Sequence, residues 1–162
     1  MNKDKITLIL RITLIAVIIT TLAFIFVQSL LPPETSQAES DAVGEIIEEI
    51  IPPETPPGDY VQKNIRSIAH FFEFAVLGFE VALYVMLFER RALWIVLGFL
   101  ASPTVALLDE TLQKISDRAP EISDVWTDVA GYSLIYALTV GAVFAAHFIR
   151  KRIKKNGKDT IG

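Results

Sequence analysis

Four stretches of this chain run too long without a charge to be the faces of a soluble fold. Ile12–Leu31 supplies twenty residues with no charged side chain, and Val129–Ile149 supplies twenty-one. Ala92–Leu108 supplies seventeen, and Ser67–Phe88 is apolar apart from His70, Glu73 and Glu80. A helix rises about 1.5 Å per residue, so roughly 20 apolar residues cross ~30 Å of hydrocarbon. The pattern predicts an all-α fold, a four-helix polytopic transmembrane bundle. The first stretch resembles a secretory leader, with small residues at Ser36-Gln37-Ala38 in cleavage-like positions. Leader cores run only ~7–15 residues, so an uncleaved first helix is expected instead.

The polar positions divide the chain into a first transmembrane helix (1–31), an acidic extracytoplasmic linker (32–66), a three-helix transmembrane core (67–149) and a basic cytoplasmic tail (150–162). Pro32-Pro33 stops the first helix, because proline removes a backbone donor and clashes with the preceding turn. Pro52-Pro53 and Pro56-Pro57-Gly58 break the linker again. Between these breaks, Asp41–Ile51 has apolar residues at 43, 46, 47, 50 and 51, which is helical spacing. Two readings stay open there: a short amphipathic helix on the outer surface, or a solvated loop.

Composition agrees with the pattern, since a chain that is 52% hydrophobic with mean hydropathy +0.45 has apolar surface to give to lipid. The absence of cysteine excludes disulfides and thiol chemistry. The net charge of −4 hides a sorting by side. Bases outnumber acids in 1–11, in the turn 89–91 and in the tail from Arg150. Acids outnumber bases eight to two in 32–66 and six to two in 109–128. Basic residues stay on the cytoplasmic side of short loops, which predicts both termini inside and the two acidic segments outside. The tail cluster Arg150–Lys155 then meets anionic inner headgroups. No internal repeat, phosphate loop or nucleic-acid motif is present, so no nucleic-acid partner is expected.

The candidate chemistry lies where polar residues interrupt the apolar runs. His70 and Glu73 share one helix face, and Glu80 follows a heptad later near mid-depth. A carboxylate at the bilayer centre costs at least ~2.5 kcal/mol, so such residues face the bundle interior and need partners. Pro103 is expected to kink the third span. Asp109 and Gln113 then share a face, with Glu110 beside them and Arg118 in the short crossing loop. Asp124, Asp128 and Gly131 share a face of the fourth span, where Gly131, and Gly141 deeper down, let a neighbouring helix come close. Topology puts His70, Glu73, Asp109, Glu110, Asp124 and Asp128 at one outer level as candidate catalytic or polar-cluster residues, and Gln113 and Arg118 as candidate ligand-binding residues. Lys63 and Arg66 either place a helix end at the headgroups or contact an anion.

Three chemistries fit these residues. A histidine beside carboxylates serves as general acid or base. One imidazole and two or three carboxylates hold a divalent cation. A guanidinium forks onto a phosphate or carboxylate. The competing reading is an ion-pair lattice in which Arg118 neutralises Asp109, Asp124 or Asp128. An apolar lattice is cheaper to bury, which favours function for the set.

The ordered run His70-Phe-Phe-Glu73-Phe-Ala-Val-Leu-Gly78, Asp109-Glu110-x-x-Gln113 and Arg118-x-Pro-x-x-x-Asp124-Val125-x-x-Asp128-x-x-Gly131 resembles the VanZ-like membrane protein family over roughly residues 63–141. Phe74 stands where a tyrosine is more usual, and Ser116-Asp117 stands where Pro-Gly is more usual. The family takes its name from a protein associated with low-level resistance to teicoplanin, a lipid-tailed glycopeptide. The resemblance implies a multi-pass cell-membrane protein acting on the outer face in bacterial envelope chemistry or antibiotic tolerance. Its expected partners are membrane lipids and a lipid-linked wall precursor or glycopeptide. Three functions compete: a binding or excluding protein, a membrane-embedded enzyme on a lipid or wall-precursor headgroup, and a proton- or cation-coupled carrier using Glu73 and Glu80. Four helices without a repeat weigh against the carrier. Neither a cofactor nor the identity of a metal follows from the residues.

Overall fold

A computed structural model describes residues 2–89, 91–118 and 122–159, with side chains through Ile153. The described chain is helical apart from short connections. Helix α1 is Lys3–Ser29, α2 is Pro33–Glu48, α3 is Pro56–Tyr84, α4 is Ala92–Ile115 and α5 is Ile122–Asp159. Helices α1, α3, α4 and α5 are long and apolar enough to cross a membrane. The expected Pro120 of the crossing loop, Arg90 of the basic turn and the side chains of Lys154 and Lys155 lie outside the described residues.

Local chemistry explains the breaks. Proline suits the first turn of a helix, whose donors have no intrahelical partner, so Pro33 opens α2. The helix therefore starts eight positions before Asp41, earlier than the apolar spacing alone indicates. Its buried residue, Gly44, lies under Gln62, whose Nε2 donates to Gly44 O at 3.2 Å and Glu48 Oε1 at 3.0 Å. Of the two readings of 41–51, the helical one holds as far as Glu48. Thr55 caps α3 by accepting from Gly58 N at 3.3 Å, and Pro56 and Pro57 occupy the first turn. Asn64 interrupts α3 with φ −121° and ψ 16°. At the other end α3 widens into a π-helical turn, Val85–Glu89. Helix α4 stays helical through Pro103, so the interruption in the described helices falls at Asn64.

Paired contacts give the directions. Ser67 lies beside Asp124 and His70 beside Asp128, so α3 and α5 run parallel. Thr21 reaches Glu80 and Arg11 reaches Glu89, so α1 runs antiparallel to α3. Tyr132 and Tyr136 donate to the Gly98 and Ile95 carbonyls at 2.7 Å, so α4 runs antiparallel to α5. The end of α1, the first half of α3, the end of α4 and the start of α5 therefore meet at one end of the bundle.

The buried apolar core is small: Ile25, Phe74, Leu77, Ala82, Ala106, Tyr132 and Tyr136. Around it, large apolar side chains such as Ile12 and Leu138 point outward, as a lipid-facing surface requires. Close approach of α3 and α5 depends on glycine. A Cβ on Gly78 would overlap the Tyr132 carbonyl, and one on Gly131 would overlap the Phe71 carbonyl. Gly141 has nothing within 4 Å, so the expectation of a second close approach there is corrected. Phe74, the departure from tyrosine, is 0% exposed inside this core, where a phenol would need a partner. Asp117 adopts φ 60°, a left-handed conformation that glycine takes freely and aspartate tolerates better than most residues. That accounts for the glycine more usual at this turn.

Candidate functional site

The polar end of the bundle is built from buried side chains held by short bonds. Asp109, 0% exposed, lies in α4 two turns before Ile115. It accepts from Ser29 Oγ of α1 through Oδ1, and from Gln113 Nε2 at 2.7 Å through Oδ2. The i,i+4 spacing of Asp109 and Gln113 produces that second bond. Gln113 Oε1 in turn accepts from Arg66 Nη2 of α3 at 2.6 Å. Ser116 Oγ donates to Ser29 O at 2.9 Å, tying the exit of α4 to the end of α1.

His70 faces this network. Its Nδ1 lies 3.9 Å from Asp109 Oδ2 and 3.8 Å from Asp128 Oδ1 of α5. Neither distance is a hydrogen bond. His70 Nδ1 and both Asp128 carboxylate oxygens are buried without a hydrogen-bond partner. Arg118, 7% exposed, donates from Nη2 to Gln28 O at 3.1 Å. Among the described residues neither Arg66 nor Arg118 has a carboxylate within ion-pair distance. The expected neutralisation of Asp109, Asp124 or Asp128 by Arg118 is therefore not the arrangement found. Burial, and then the neighbouring Arg66 guanidinium, push the Arg118 guanidinium down from its ordinary range. It remains a cation at neutral pH.

A cavity of about 420 Å³ opens beside the two arginines. Arg66, His70 and Glu73 of α3 line it together with Arg118, Gln28 of α1, and Ser36, Glu39 and Ser40 of α2. The structure thus brings Arg66, His70, Glu73 and Arg118 to one cavity, with Asp109, Gln113 and Asp128 joined to them. Asp124 sits at the margin, with Ser67 Oγ donating to its Oδ1 at 3.4 Å, and lines a separate groove. Lys63 is exposed and paired with Asp59 at 2.8 Å, so it is not one of the cavity residues. Glu110 is half-buried and does not line the cavity. Glu80 finds its partner deeper in the bundle, accepting from Thr21 Oγ1 at 2.9 Å.

Sequence reasoning missed the contributions of α1 and α2. Ser29 ends an otherwise apolar run, and its only signal is that a hydroxyl and an amide (Gln28) sit together at that end. Ser36, Glu39 and Ser40 recur at three- and four-residue intervals, a polar helical face inside the acidic linker.

No curated protein and no solved structure matches the chain. The family model of VanZ/LLP1 matches residues 12–145. That span reaches well before the 63–141 run of motif residues and takes in α1 and α2, the two helices whose side chains complete the cavity. The match covers most of the sequence and all four membrane-length helices in large part, and on that evidence the chain belongs to the VanZ/LLP1 family.

Proposed function

We propose that this family member is a cell-membrane protein with both termini inside, and that its polar end opens to the outer face and holds the anionic headgroup of a lipid-anchored envelope molecule. The observation that carries the reading is the pair Arg66 and Arg118 beside a half-open cavity of about 420 Å³. Two guanidinium groups that repel one another, with no described carboxylate within ion-pair distance of either, form an anion site waiting for charge. The sorting of basic and acidic segments supports the orientation. The ligand chemistry that fits is a phosphate or pyrophosphate on a lipid tail, as in a lipid-linked wall precursor. A lipid-tailed glycopeptide of the teicoplanin type is the competitor for the same place. A membrane-embedded enzyme acting on that headgroup is the second reading, and it draws on the His70 imidazole that lines the cavity and the Asp109 and Asp128 carboxylates behind it.

Cysteine labelling in right-side-out membrane vesicles tests orientation and occupancy together. The chain has no cysteine of its own, so single replacements give clean signals. Cysteines at exposed Thr35 and at cavity-lining Ser40 should react with an impermeant thiol reagent, while one at Asn156 in the tail should not. A lipid-linked wall precursor should then protect the Ser40 position and leave Thr35 reactive. Labelling of the tail alone would overturn the orientation. Equal labelling at Ser40 with and without both precursor and glycopeptide would overturn the site.

A further inference from the structure

The buried group behind the cavity poses an electrostatic problem that headgroup binding does not solve. His70, Asp109 and Asp128 come from three different helices, and each side chain is at least nine-tenths buried, with 9%, 0% and 1% exposed. One ligand atom from each lies within 4.8 Å of the others. Two carboxylates are thus taken out of water side by side. The nearby cations are held elsewhere, Arg66 on Gln113 and Arg118 on Gln28. Asp109 at least accepts two hydrogen bonds, but neither oxygen of Asp128 accepts any. Buried ionised oxygens without a donor or counter-ion are expensive enough that proteins avoid them.

We infer that His70 Nδ1, Asp109 and Asp128 form a divalent-cation site just behind the cavity, which His70 alone of the three lines. A single ion with ligand distances of about 2.0–2.2 Å reaches atoms spaced as these are with small side-chain adjustments. One imidazole with two carboxylates suits Zn²⁺ or Mn²⁺, and is poorer for Mg²⁺ or Ca²⁺, which prefer all-oxygen sets. Asp109 already has the supporting shell that ligating carboxylates carry, from Ser29 and Gln113. His70 also lines the cavity, which gives the ion a way in. The ion neutralises the paired carboxylates and joins α3, α4 and α5 at the end where Asn64 interrupts α3. This inference does not depend on the headgroup reading, because the ligand set is complete without a lipid.

The test uses the full chain, tag-free, purified in detergent, stripped with a chelator and equilibrated with Zn²⁺ or Mn²⁺ in excess Mg²⁺. After gel filtration, elemental mass spectrometry should find one equivalent of Zn²⁺ or Mn²⁺ per chain, and the added ion should raise the melting temperature. Asp128→Asn and His70→Gln should each weaken uptake at least tenfold. His147→Ala, which removes the chain's other histidine, should keep the full equivalent. In the absence of metal Asp128→Asn should melt at or above the parent's temperature, since it removes one of two facing carboxyl groups, the one whose oxygens lack a donor. That keeps loss of the site distinct from loss of folding. No uptake of either ion by folded parent protein, or full uptake by folded Asp128→Asn, overturns the site. Metal uptake and Ser40 protection are separate readouts of different residues, so failure here leaves the Ser40 protection result standing, and the reverse also holds.

Discussion

Gly78→Leu is expected to be the most damaging single substitution in the chain. The side chain would have to occupy space already filled by the Tyr132 carbonyl, so α3 and α5 must separate. Over-packing of a close interface costs about 1–3 kcal/mol even where rotamers adjust, and a carbonyl on a neighbouring helix adjusts little. For a chain of this size that lowers the melting temperature by roughly 2–12 °C. Separation of α3 from α5 also moves His70 from Asp128 and opens the cavity wall, so ligand protection at Ser40 should fall with stability. Gly131→Leu, against the Phe71 carbonyl, should behave alike. Gly141→Leu is the internal control, because nothing lies within 4 Å of its added Cβ. Thermal melts of the three variants in one detergent check the pattern. An unchanged melt for Gly78→Leu would remove the close α3–α5 approach from the account.

The second large effect belongs to Arg118. If its guanidinium grips a phosphate, Arg118→Lys keeps the charge and loses the two-pronged geometry. Hydrogen bonds to charged groups are worth ~1.5–3 kcal/mol, so affinity for a lipid-linked precursor in nanodiscs should fall about 10–100-fold. Lysine still carries a donor for Gln28 O, the described partner of Arg118, so the melting temperature should stay close to that of the parent. Full affinity in Arg118→Lys would mean that charge alone matters there. Loss of folded protein would mean that the bond to Gln28 is scaffold.

How much of this was readable in the sequence follows from what each signal measures. Charge-free length reports lipid contact directly, so the four membrane helices stand where the runs of Ile12–Leu31, Ala92–Leu108 and their partners indicate. Three- and four-residue spacing reports a shared face, which is how Asp109 and Gln113, now joined by a hydrogen bond, stand together in one dimension. It says nothing of which face meets which helix, so the bond of Ser29 to Asp109 and the placing of Thr21 on Glu80 were invisible. The start of α2 was hidden for a related reason: Pro33 both follows the end of α1 and occupies the first turn of α2, so proline alone does not tell a stop from a start. Lys63 and Arg66 look equivalent in one dimension. The Asn64 interruption lies between them, and only Arg66 turns into the cavity.

In the proposed arrangement an anionic lipid headgroup sits beside Arg66 and Arg118, under α2. A photo-reactive residue at Val43, on the cavity-facing side of α2, tests it in living cells. Illumination followed by mass analysis of the adduct reads the occupant directly. The expected adduct is with a phosphate-bearing, lipid-linked envelope molecule, and it should be lost when Arg66 and Arg118 are both replaced by glutamine. An adduct carrying a chemically altered headgroup would move the balance to the enzymatic reading of the same site. Adducts with bulk diacyl lipids alone, unchanged in the double substitution, would contradict the account.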